Sequence, residues 1–258
     1  MDKIMVVKVG GNELDAPVFL QELCATLGAM DHPLVLVHGG GKEISAALER
    51  YGQEVRFIDG VRVTSPESMA IMEMVVCGSI NKRIVSRLNA VGRQALGLSG
   101  VDLGLLRCTP YRPDGVDFGR VGSISSVDVP ALRTLLDQGW LPVLAPVALG
   151  QDDNLAYNVN ADHVALGVAA ALAADRTATE LVFVSNVPGV LRAGQVVPQL
   201  TAAAIEQQIQ AGEIQGGMIP KVRSALMALE RGVTTARITN LAGLAAGGTR
   251  IALQQKTV

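Results

Sequence analysis

The sequence predicts an α/β protein: a three-layer αβα sandwich around a mainly parallel central sheet. Two patterns carry the prediction. Short β-branched runs alternate with helical-period stretches, joined by glycine, and most of the runs are apolar on both faces, as strands covered by helices on both sides must be. The chain has 258 residues, and at about 150 residues per domain it could hold one large domain or two small ones. The absence of any linker or repeat favours a single globular unit over 1–258, with an N-terminal lobe of about 1–150 and a C-terminal lobe of about 151–258 meeting near Pro146 to Asn154.

In chain order, strands are expected at Ile4–Val9, 34–37, Ala95–Leu98, 141–146, 181–185 and 236–239. Helices are expected at 66–91, 164–174, Ala202–Gln210 and 221–231, and β-hairpins at 55–63 and 105–126, where Pro and Gly turns interrupt the alternation.

Composition excludes several classes. With 49% hydrophobic and 18% charged residues the chain is not disordered by composition, and Lys+Arg 22 against Asp+Glu 24 leaves no footprint for nucleic acid. Charged residues interrupt every apolar run before the roughly 18 residues of a membrane helix, and the start of the chain lacks a signal-peptide core, so a soluble, cytoplasmic protein without membrane partners is expected. Three cysteines without C-x-x-C spacing provide neither a disulfide framework nor a zinc site.

Four glycine- and asparagine-bearing clusters remain. VKVGG runs a strand into Gly10 and Gly11, with Lys8 near the carboxyl end, where open parallel sheets gather ligands; the same Lys could simply reach solvent. VHGGGK ends a second strand and opens a helix, and its glycines allow backbone N–H groups to approach an anion. In YNVNADH, Asp162 precedes an Ala-rich helix, either as a cap or as a functional acid. EIQGGMIPK places Lys221 in a first helical turn, where it opposes the helix dipole unless an anion lies between them. There is no P-loop and no G-x-G-x-x-G; Asp117-Phe118-Gly119 and Gly97-Leu98-Ser99-Gly100 read as structural turns.

Taken in order, VKVGG, VHGGG, GVRVT, NVNAD and GGMIPK resemble the acetylglutamate kinase branch of the amino acid kinase family, over almost the whole chain. The resemblance implies that family's αβα fold and ATP-dependent phosphorylation of the side-chain carboxylate of N-acetyl-L-glutamate, in arginine biosynthesis. It implies that Lys8 and Lys221 stabilise the transferring phosphoryl group and that Asp162 orients both lysines. Gly40, Gly41, Arg62, Asn158 and Asn160 match acceptor-binding positions. Gly10, Gly11, Asn186, Val187, Pro188, Gly189, Val190, Leu191, Glu213, Gly216, Gly217, Met218 and Lys221 match nucleotide-binding positions. Mg²⁺ would be carried mainly by the nucleotide phosphates, with no metal site built from the chain.

Residue chemistry agrees with this reading. A carboxylate acceptor is already ionised at neutral pH and needs no general base, so a set of cations and N–H donors without a catalytic His suits acyl-phosphate formation. Arg62 can grip a second carboxylate in a bidentate fork.

The motif set departs from the common pattern at Ser185-Asn186 and Thr64-Ser65, and some stretches resemble the branch that phosphorylates aminoadipate or glutamate on a small acidic amino-group carrier protein. A catalytically inactive nucleotide-binding regulatory module is a further alternative. The Arg62 context favours free N-acetylglutamate. Helix 66–91, apolar on more than one face through Met69, Ile71, Met72, Val75, Val76, Ile80 and Ile84, resembles the family's dimer helix and implies a homodimer; because Ile4 already begins the first strand, where arginine-inhibited relatives have a preceding helix, that dimer is expected to be insensitive to arginine.

Overall fold

Alternation along β1 (Ile4–Val9) divides the molecule into two layers. Ile4 and Val6 enter one apolar cluster and Met5, Val7 and Val9 the other. The computed structural model describes residues 3–10 and 14–253, so Gly11 lies outside the described residues.

After β1 come α1 (Pro17–Gly28), β2 (Leu34–His38), α2 (Gly41–Arg50) and the hairpin β3 (Phe57–Ile58) and β4 (Val61–Arg62). Next are α3 (Pro66–Glu73), a π-helical segment (Met74–Ile80), α4 (Asn81–Ala90), β5 (Ala95–Leu98), β6 (Leu106–Pro110), β7 (Gly122–Val127) and α5 (Val129–Asp137). Then follow β8 (Leu141–Leu144), β9 (Val147–Gly150), β10 (Ala156–Asn158), α6 (Ala161–Ala174) and β11 (Thr179–Val184). The chain continues through β12 (Leu191–Arg192), β13 (Gln195–Val196), β14 (Gln199–Thr201), α7 (Ala202–Gln210), α8 (Met218–Glu230), β15 (Thr235–Thr239) and β16 (Thr249–Ala252).

Eight strands form the central sheet in the order β14-β16-β15-β11-β1-β2-β8-β5. All neighbours are parallel except β15 and β16. One face is covered by α6 and α8, whose Leu166, Leu172, Val222 and Ala225 pack on Val6, Val37 and Phe183. On the opposite face, Leu20, Leu23 and Leu27 of α1 and Ile84 and Leu88 of α4 pack on Val7, Leu36 and Val182. The predicted mainly parallel sandwich is therefore the observed fold, and each fully buried Leu or Val in it is worth roughly 1.5–3 kcal/mol.

Several boundaries differ from expectation. The strand expected over 141–146 stops at Leu144, because the chain turns at Ala145-Pro146 into β9, and Pro146 has no N–H to give a ladder. Strands β9 and β10 join β6 and β7 in a second, four-stranded sheet, β10-β9-β6-β7, where the sequence suggested only a hairpin and a junction. Helix α6 begins at Ala161 rather than 164, since the Asn160 side chain accepts from Asp162 N at 2.8 Å and caps the first turn. Helix α8 likewise begins at Met218, with Pro220 tolerated in its first turn. The apolar surplus of helix 66–91 is largely absorbed within this chain: Met69, Ile71, Met72, Val76, Ile80 and Ile84 are all buried.

Candidate functional site

A cleft of about 620 Å³ opens at the carboxyl ends of β1, β2 and β11. The chain leaves β1 toward β2 on one side, while β11 lies on the other, so this is the switch point where open α/β sheets leave a crevice. Lys8 occupies the β1 position whose side chain faces α6, and its Nζ lies 2.7 Å from Asp162 Oδ1. Both side chains are buried, at 8% and 6% exposure, so the pair is shielded from solvent screening. The three residues by which α6 starts early, nearly a full turn, place Asp162 in the capped first turn rather than in a loop.

The glycine loop after β2 forms a second wall. Gly39 N donates to Val9 O at 3.0 Å and ties this loop to the end of β1. Gly40 sits so close to the π-helical segment that a Cβ there would lie 2.5 Å from Ile80 Cδ1. Arg62, reaching in from β4, donates through Nη2 to Gly41 O at 2.9 Å and to Ser45 Oγ at 2.8 Å. Its guanidinium lies 4.6 Å from the Phe57 ring centroid, and Nη1 is buried without a hydrogen-bond partner among the described residues. Burial pulls the Arg62 guanidinium below its ordinary pKa. An anion placed against Nη1 would restore what burial removes.

Asn158, at the end of β10, donates through Nδ2 to Thr64 Oγ1 at 3.0 Å. Thr64 is fully buried, and the sequence did not single it out as a partner of Asn158. Ser65 caps α3 by accepting from Ser68 N at 3.1 Å. Ser and Asp are equivalent caps, so the departure at this position leaves the helix start intact.

On the far side of Asp162, Gly217, Met218 and Lys221 approach from the start of α8, and Ser185, Asn186 and Val187 from the end of β11. Lys221 Nζ donates to Gly217 O at 3.2 Å. The cleft thus gathers Lys8, Gly10, Gly40, Gly41, Arg62, Asn158, Asn160, Asp162, Asn186, Val187, Gly217, Met218 and Lys221 from the expected set. Pro188, Gly189, Val190, Leu191, Glu213 and Gly216 do not line it. Val190 is buried, its N–H donating to Thr249 Oγ1 at 2.8 Å, and Glu213 pairs with Arg192 at 3.5 Å.

The lining also includes Phe57 and Tyr111, which no local motif marks, and His163, which closes YNVNADH but is given no role there. The two motif-like triplets prove structural: Asp117 Oδ1 accepts from Gly119 N at 2.9 Å, and Asp102 Oδ2 accepts from Ser99 Oγ at 2.9 Å.

Among the described residues Asp162 is the sole acid lining the cleft, and it is engaged by Lys8. Among the described residues no group of three or more His, Cys, Asp or Glu is placed to hold a metal ion, and no helix is long and apolar enough to cross a membrane. This donor set suits phosphate oxygens that bring their own divalent cation. Electrostatically, two lysines and a buried arginine around one carboxylate leave the cleft cationic, as a site for two converging anions requires.

Residues 3–240 match the amino acid kinase family. The chain is similar to the acetylglutamate kinase of Chloroflexus aggregans, 63% identical over 255 residues that make up 99% of each chain. It is similar also to the acetylglutamate kinase of Roseiflexus sp., at 50% identity over 98% of this chain and 94% of that one. Among solved structures, smu.665 of Streptococcus mutans superposes with a TM-score of 0.82 at 29% identity, covering 98% of this chain and all of that one. On this evidence the chain belongs to the amino acid kinase family, within its acetylglutamate kinase branch.

Proposed function

We propose that this protein transfers the γ-phosphoryl group of ATP to the side-chain carboxylate of N-acetyl-L-glutamate, producing an acyl phosphate and ADP. The observation that carries the reading is the placement of the buried Lys8–Asp162 pair and the unpartnered Arg62 Nη1 in one cleft. The likeness to acetylglutamate kinases over the full chain supports it.

In this reading Arg62 holds the acceptor's α-carboxylate against Nη1, and Asn158 with the Gly40 and Gly41 amides holds its remaining polar groups. The side-chain carboxylate, with a pKa of about 4.3, is ionised and attacks without a base. The P–O bond to ADP breaks as the new P–O bond to the carboxylate forms, and charge spreads over three equatorial oxygens. Lys8 and Lys221 neutralise that charge from preorganised positions, which avoids reorganisation during the transfer. Asp162 keeps Lys8 aimed at the reacting oxygens, and Asn160 keeps Asp162 in place by capping its helix. A divalent metal accompanies ATP; we assign Mg²⁺, bound to the phosphates, where it offsets their charge. Most of the nucleotide-holding residues come after about 150 and most of the acceptor-holding ones before it, with Gly10 and Asn158 crossing that division.

A second copy of the chain is proposed as partner, seated on the edge of β5. There Met74, Val101 and Leu103 are 57%, 37% and 73% exposed, and a twofold, self-complementary contact would cover them. The decisive experiment on function is hydroxylamine trapping of the acyl phosphate with free N-acetylglutamate and, in parallel, with a glutamate- or aminoadipate-loaded carrier protein. Turnover on the free acceptor is expected; turnover confined to the loaded carrier overturns the proposal.

A further inference from the structure

Where the π-helical segment passes into α4, two consecutive residues meet the glycine loop: Ile80 packs on Gly40, and Asn81 reaches His38. Asn81 Nδ2 lies 3.1 Å from His38 Nε2 and donates to Val143 O at 2.9 Å, while Asn81 Oδ1 faces Lys82 Nζ at 3.3 Å. Only one orientation of the amide satisfies all three, with the NH₂ toward the ring and the strand and the oxygen toward the ammonium. His38 Nε2 must then accept, which puts the ring proton on Nδ1, 2.9 Å from Gly39 O. Asn81 is 1% exposed and His38 fully buried, so neither bond can be replaced by water. Burial also pushes His38 down to about 4, keeping the ring neutral at physiological pH.

We propose that Asn81 is a positioning residue for the phosphoryl-transfer site: through the Nδ1–H tautomer of His38 it fixes the Gly39 carbonyl, leaving the N–H groups of the glycine loop to face the acceptor. The π turn is part of this device, because its wider winding changes the phase of the helix and brings both Ile80 and Asn81 onto the loop. Gly97 completes it: a Cβ there would lie 2.0 Å from Asn81 Oδ1, so the strand passes close behind the amide only without a side chain.

The role rests on the acetylglutamate kinase reading, and the test separates the two. In the ¹⁵N-histidine-labelled wild type, with His38→Gln used for assignment, long-range ¹H–¹⁵N spectra are expected to show His38 protonated at Nδ1 and bare at Nε2. An Nε2–H ring overturns the relay regardless of activity. In Asn81→Asp, which keeps the shape but loses both donated bonds, the acceptor KM is expected to rise about tenfold or more while the ATP KM stays within about twofold. A purely structural role would lower the amount of active enzyme and leave both KM values unchanged, and that result in folded Asn81→Asp overturns the proposal. Should Asn81→Asp not fold, His38→Gln is measured the same way and judged by the same outcomes. Failure of the wild type to phosphorylate N-acetylglutamate would sink the functional reading instead and leave the tautomer to decide the relay.

Discussion

Lys8 and Asp162 stand 2.7 Å apart in the interior, one on the central strand and one in the first turn of the helix above it. Desolvating two charges costs several kcal/mol per ion, so such a pair is weak support for stability and stronger support for function. Its use lies in keeping an ammonium group aimed within a dry site.

Lys221→Ala is expected to lower kcat by about 10² to 10³, the loss of roughly 3–4 kcal/mol from one preorganised charge on the moving phosphoryl group. Lys8→Ala should match it in rate and also lower stability, because Asp162 is left buried and uncompensated, at about 3–5 kcal/mol. Steady-state kinetics with thermal unfolding checks both. Near-normal turnover in folded Lys221→Ala would remove that lysine from the mechanism.

Arg62→Lys keeps the charge but loses the planar fork, so one ammonium cannot satisfy Gly41 O, Ser45 Oγ and an incoming carboxylate together. The acceptor KM should rise at least about tenfold, with the ATP KM nearly unchanged. Equal increases in both would mean that Arg62 supports the whole cleft rather than the acceptor.

His38 makes stability depend on pH. Its folded pKa, about 4, lies below the ordinary 6.5. The unfolded chain therefore binds more protons between these values, and stability falls as the pH drops from 6.5 toward 4. The full effect is roughly 3 kcal/mol. Denaturant unfolding at pH 7.5 and pH 5 should show the loss, and His38→Gln should be less sensitive over the same window. An equal slope in the variant would assign the effect to other groups.

Light scattering should return twice the chain mass of 27.0 kDa, and Leu103→Glu should halve it without unfolding the protein. A monomer in the wild type would show that the exposed β5 edge needs no cover.

The sequence made the central sheet and the site legible for a common reason: both depend on contiguous segments. The ends of β1, β5 and α7 coincide with expectation; Gly10 after β1 and the Thr201 cap before α7 act locally. Lys8, Asp162 and Lys221, which line one cleft, could be singled out because each sits beside its own glycine or asparagine motif. The second sheet was not foreseen. The four-residue β9 owes its place in the sheet to β6, about forty residues earlier, and the three-residue β10 pairs on β9; neither carries a periodicity of its own. Asn81 was missed likewise: one amide among the polar residues of a helix gains its meaning only from His38, 43 residues away.

The register of β1 has one more consequence. Lys8 is flanked by Val37 on one side and Phe183 on the other, both in parallel ladders, so the floor of the cleft is a continuous beam that runs beneath both substrates. Opening the two walls by bending that beam would break backbone bonds in the most buried part of the protein. Any widening of the cleft is therefore expected in pieces hung on the beam from outside: the β3–β4 hairpin that carries Arg62 on one flank and the start of α8 that carries Lys221 on the other. The strand acts as a fixed anvil, holding Lys8 between two ladders at the floor of the cleft.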